Sequence, residues 1–123
     1  MSDRRAIQLK AFVPARDFAL SKQFYQDIGF DLGYDEGGLA HFSHGACAFL
    51  LQDFYDKVFA ENLMLHLLVE DVDAWWSAIH DADIEERYAV GQSRVELRPW
   101  KMRDFTLGDP SGVLWRIAEN TVG

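Results

Sequence analysis

A chain of 123 residues, 49% hydrophobic and 26% charged, has the composition of one globular domain able to bury about two-thirds of its unfolded surface. No apolar run approaches the roughly 18 residues of a membrane span. The 20 acidic against 12 basic residues give a net charge of −8, which repels nucleic acid and anionic membranes.

In chain order, MSDRRAIQLK lacks an apolar core and a small-residue cleavage site, so no secretory signal is read and a cytoplasmic location is expected. Residues 6–13, AIQLKAFV, alternate as a strand, with Ile7, Leu9, Ala11 and Val13 on one face, until Pro14 interrupts the ladder. Asp17 is a good N-cap. Leu20, Phe24 and Ile28 recur at helical spacing before Gly29, which predicts a helix of about three turns. FDLGY, LAHFS and ACAFLLQ follow as three short strands separated by DEGG and HG. Residues 53–62 read as a connector with a helical turn. LMLHLLV reads as a buried strand, and DVDAWWSAIHDAD as a helix whose Val72, Trp76 and Ile79 share a face. Near the end, RPWKMRDFTLGDPSGVLWRI reads as two strands folded back over GDPSG, where proline presets φ and Gly112 permits a tight reversal.

The order repeats. Asp17 and Asp71, Asp27 and Asp81, Phe30 and Ile84, and Gly37 and Gly91 each lie 54 residues apart, and each set runs from a strand end into an Asp-capped helix. The fold class expected is α+β, with two βαβββ modules, about 5–53 and 62–120, forming curved mixed sheets around a concave groove. Neither module alone could bury both faces of its sheet.

Three segments carry a family resemblance: DFALSKQFYQDIGF, LLVEDVDAWW and DFTLGDPSGVLWRI. Through them the chain resembles the glyoxalase/bleomycin resistance/dioxygenase superfamily, the vicinal oxygen chelate fold. PWKMRDFTLGDPSG, which holds Trp100 and Arg103, looks most like the bleomycin resistance proteins. In the family's enzymes a divalent metal sits in the concavity, held from the first and last strands of each module. Carried onto this chain, those four slots fall at Gln8 or Lys10, at Leu51 or Gln52, at Met64 with His66 two residues on, and at Arg116. Lysine and arginine have no lone pair to give, and leucine has no donor atom. The resemblance therefore implies a non-catalytic protein without metal or cofactor. It would be a homodimer that sequesters a small molecule, the resemblance implying a cationic aromatic drug such as bleomycin, whose charge suits the negative chain. The alternative is a metal-dependent lyase or dioxygenase with the atypical set Gln8, His66 and Gln52.

The residues expected at the ligand are Phe42, Phe49, Tyr55, His66, Trp100, Arg103 and Arg116. Aromatic rings near the concavity can stack on a planar ligand, and a histidine in an apolar strand must find a partner when buried. Phe24, Phe30, Trp76 and Trp115 sit at core spacing. His41 and His44 flank a turn and are expected in solvent, and the acids between Glu70 and Glu86 are expected on a solvated helix face. Cys47, the only cysteine, lies inside GACAF and is expected to be a buried small hydrophobe. Arg116 is a cation in an apolar strand, and either an ion pair or a ligand contact would account for it.

Overall fold

The computed structural model describes residues 3–121. The first module comprises β1 (Phe12–Pro14), α1 (Phe18–Asp27), β2 (Asp31–Glu36), β3 (Leu39–His44) and β4 (Cys47–Gln52). A short helix, α2 (Lys57–Asn62), leads to the second: β5 (Met64–Leu68), α3 (Val72–Asp81), α4 (Ile84–Tyr88), β6 (Glu96–Leu97), β7 (Met102–Gly108) and β8 (Leu114–Asn120). The sheets have the same wiring, β1-β4-β3-β2 and β5-β8-β7-β6, with first and last strands parallel and the rest antiparallel. This is the expected α+β arrangement of two βαβββ modules. Among the described residues no helix is long and apolar enough to cross a membrane.

The helix starts follow the sequence closely. The side chains of Asp17, Asp56 and Asp71 each accept the backbone N–H three residues on, at 3.1, 3.0 and 3.1 Å. Each such cap contributes about 1 kcal/mol.

Strand periodicity sorts each sheet into two faces. On the inner faces Val13, Ala40, Phe42, Phe49 and Leu51 of the first sheet and Leu67, Phe105, Leu107, Trp115 and Ile117 of the second join one apolar core with Phe24 and Tyr25 of α1. On the outer faces His41 pairs with Leu50, and His66 with Arg116.

The modules are joined through the GDPSG turn. Asp109 Oδ1 accepts the N–H groups of Ser111 and Val113 at 2.8 and 2.9 Å, closing the turn on itself. Its Oδ2 accepts the Tyr25 hydroxyl at 2.5 Å, and the Trp115 indole N–H donates to the same Tyr25 oxygen at 2.9 Å. Burial drives the Asp109 carboxyl above its ordinary value against these donors, and burial beside Asp109 raises the Tyr25 phenol well above its own. A second tie runs from Arg87 and Tyr88 of α4 to Asp27 of α1. In the turn, Gly112 has φ +96°, and a Cβ there would lie 3.1 Å from Glu61 Cγ. The conformation requires glycine, and any side chain there would also press on Glu61.

Four expectations are corrected. Residues 6–11 are not in a strand, and only Phe12–Pro14 pairs with β4. Ile7 and Leu9 are 97% and 96% exposed, and among the described residues no strand pairs with them. The strand around His66 is not buried: β5 is an edge, where Met64 and Leu68 are about half exposed and only Leu67 is buried. Gly91 does not match Gly37. Gly37 turns β2 into β3 with φ +66°, whereas the corresponding stretch of the second module folds as α4 and reduces β6 to two residues. Cys47 is exposed, because the Gly45 turn places it at the start of β4 opposite His44.

Candidate binding groove

A cavity of about 740 Å³ opens between the segment 7–11, the hairpin end 46–49 and the strand edge 65–68, with Phe30 and Trp115 also lining it. Local sequence builds it. The Gly45 turn carries the small residues Ala46, Cys47 and Ala48, which leave room, and behind them come the rings of Phe49 and Trp115, 5.2 Å apart. Phe30 completes this aromatic floor at 5.2 Å from Phe49 and 5.5 Å from Trp115. The segment 7–11 is held over the groove by Leu50 N–H donating to Ala11 C=O at 2.9 Å and Gln8 Nε2 donating to Ala46 C=O at 3.3 Å. Lys10 and His66 supply the polar wall. An apolar cavity with a few polar groups is the usual form of a small-molecule site.

Arg116 lies beside His66 in the strand register, on the outer face of the second sheet. Its guanidinium donates to Asp104 Oδ1 at 2.9 Å, and Arg98 Nε donates to the same oxygen at 2.9 Å. Asp104 is fully buried, and Glu96 neutralises the other side of Arg98 at 3.1 Å. Two guanidinium groups and two carboxylates thus balance, and the arginine in the apolar strand is an ion-pair partner.

The expected ligand residues do not all fall together. Phe49 and His66 line the groove together. Phe42 is fully buried, stacked on Phe49 with centroids 5.5 Å apart and planes 14° from parallel, and belongs to the core. Tyr55 packs half-buried against the core beyond β4, and Trp100 stands exposed between β6 and β7. Neither lines the groove. Arg103 grips Asp73 with two hydrogen bonds of 2.9 and 3.0 Å and reaches Glu119, whose other oxygen caps Val72 N–H. Its hydrogen bond holds the Asp73 carboxyl below the usual carboxylate value. Arg103 therefore fixes the start of α3.

Phe30 and Trp115 line the groove although core spacing assigned them to packing; both are nearly buried, so they do both. Their neighbours in sequence gave no sign of this, because strand alternation separates faces but not the ends of a face. The exposure of Cys47 was readable from Gly45, since a residue just beyond a tight hairpin turn escapes the core. His44 is exposed as expected, yet its Nδ1 contacts Gly29 C=O at 3.0 Å and its ring meets Trp75 at 4.8 Å.

The residues present do not fit the family's metal. Arg116 is occupied with Asp104 and has no lone pair. Gln8 and His66 line the groove, but Gln52 does not, and among the described residues no three His, Cys, Asp or Glu side chains are grouped to hold an ion.

No protein-family profile matches the chain, and no curated protein matches it. Solved structures do. A bleomycin resistance determinant encoded on the transposon Tn5 superposes with a TM-score of 0.80 at 23% identity, covering 94% of this chain and 98% of that one. A bleomycin-binding protein complexed with bleomycin gives 0.76 at 21% identity, over 92% and 98%. Lactoylglutathione lyase from Agrobacterium tumefaciens gives 0.69 at 16% identity, over 94% and 95%. Binding proteins and an enzyme thus share one scaffold, and function has to be argued from the site. By this likeness and by its paired βαβββ modules, the chain has the fold of the glyoxalase/bleomycin resistance/dioxygenase superfamily.

Proposed function

We propose that this protein binds a planar small molecule in the groove without altering it chemically, sequestering it as the bleomycin resistance proteins do. The observation that carries the reading is the combination of an aromatic-floored cavity with family metal positions filled by an ion-paired arginine and a hydrogen-bonded glutamine. Stacking on Phe49 and Trp115 needs shape and apolar area, not a catalytic group. The protein acts as a homodimer, a reading supported by Ile7 and Leu9: an alternating apolar segment whose large side chains are left uncovered by the described residues suits a second copy.

Alkylation of Cys47 tests the site. It is the only cysteine, is exposed and lines the groove, so a pyrene maleimide attached there fills the cavity without disturbing the core. A neutral planar probe such as 9-anthracenemethanol titrated into unlabelled protein should quench tryptophan fluorescence, and the labelled protein should not respond. Absence of quenching at micromolar probe removes the binding assignment, and quenching unchanged by the label places the ligand elsewhere. Elemental analysis of the purified protein checks the non-catalytic part: a divalent ion bound one per chain would overturn it.

A further inference from the structure

The groove and the chain as a whole have opposite charge character. The chain carries −8, but no Asp or Glu lines the groove, and its basic side chains are Lys10 and His66. Lys10 makes no ion pair among the described residues, whereas the acids near the groove are occupied or lie outside it. Asp104 is shared by two arginines. Glu70 and Asp71 line an adjoining cavity of about 510 Å³, which meets the groove at Cys47, Leu67 and Leu68, and Asp71 is taken up in capping α3 there.

Distance decides which charge a ligand feels. At physiological ionic strength the chain's remote acids are screened beyond about 8 Å, while a group inside a partly desolvated groove is screened much less. A cationic ligand entering would give up water beside an ammonium and find no carboxylate in the wall to replace it. An anionic one would meet the Lys10 ammonium in a charge-assisted contact. We propose that the ligand of this groove is a planar aromatic molecule bearing one carboxylate or comparable anionic group, and that the groove rejects polycations. The inference rests on the preceding reading that the groove is a binding site, and it sets aside the cationic ligand that the resemblance and the net charge suggested.

Two three-ring probes of nearly equal size separate the possibilities: 9-anthracenecarboxylate, an anion, and 9-aminoacridine, a cation at neutral pH. Fluorescence anisotropy of each would be followed with the full chain and with Lys10→Glu, an exchange at a partly exposed position outside the strands. The carboxylate should bind at least tenfold more tightly than the aminoacridine, and Lys10→Glu should reduce that preference at least fivefold. Equal or tighter aminoacridine binding overturns the inference, as does a preference unchanged in Lys10→Glu. The maleimide-labelled protein distinguishes the two levels of failure. Aminoacridine binding abolished by the Cys47 label keeps the groove as the site and removes only its charge preference, whereas no binding of either probe removes both.

Discussion

The hydroxyl of Tyr25 gives its proton to Asp109 and accepts one from the Trp115 indole, so one oxygen connects α1 of the first module with the last hairpin of the second. Tyr25→Phe retains the ring, which packs 4.8 Å from Phe49 and 5.6 Å from Trp115, but strands a buried carboxylate oxygen and a buried indole N–H. Each orphaned group costs about 1–3 kcal/mol. Urea unfolding should show a loss of about 2–4 kcal/mol, and a change within the error of the measurement would mean that the bridge does not hold the modules. Tyr88 makes the second tie. Burial first, then its hydrogen bond to Asp27, push its phenol from 10.0 to about 12. A folded value above the unfolded one gives a contribution fully present below pH 10 that disappears as the pH rises through about 12. Stability should fall across that interval, and Tyr88→Phe should make the fall shallower; an identical slope in the variant contradicts this assignment.

Helices α1, α2 and α3 begin where an aspartate can cap them, and the starts of α1 and α3 were readable because capping is a local device of four residues, whereas α2 was read only as a turn within a connector. Helix α4 is different. Asp83 before it has φ 55° and makes no capping bond with its side chain, and Ala89 after it has φ 54°. Both are left-handed positions occupied by residues with a Cβ. Ala89→Gly relieves one of them and should stabilise the protein by about 0.5–1 kcal/mol in urea unfolding, the cost of the left-handed backbone outweighing the added freedom of the unfolded chain; destabilisation would place the strain elsewhere. Helix α4 escaped the sequence reading because it stands where the repeat leads one to expect a strand, although Asp83 and Glu86 have the residue types of a helix start. Residues 6–11 failed in the opposite sense. Their alternation was real, but alternation records a side chain's preference for two environments and not the presence of a neighbouring strand. The candidate site was legible in part for the same reason: Phe49 and His66 fall in the groove because periodicity found their strands, whereas Phe42, one strand over in register with Phe49, went to the core through tertiary packing.

At the scale of the molecule the two sheets are wired alike, yet their edges are unequal. Strand β1 has three residues and β5 has five, and the apolar stretch that would lengthen β1 leaves Ile7 and Leu9 exposed. A second copy that covers Ile7 and Leu9 would also close the open side of the groove, since both residues border it. Ile7→Asp combined with Leu9→Asp should halve the mass measured by light scattering while leaving the circular dichroism spectrum unchanged. A wild-type chain that is already monomeric at micromolar concentration would refute the homodimer.

The repeat and the bridge together bear on cooperativity. Had the modules stayed independent, each would open alone, and no single proton would report on both. The Trp115 indole hydrogen is instead buried where α1 meets the last hairpin, in contact with the Tyr25 oxygen. Its rate of exchange for deuterium should equal that of the slowest backbone amides, so one resonance, followed over time in heavy water, measures the stability of the entire fold.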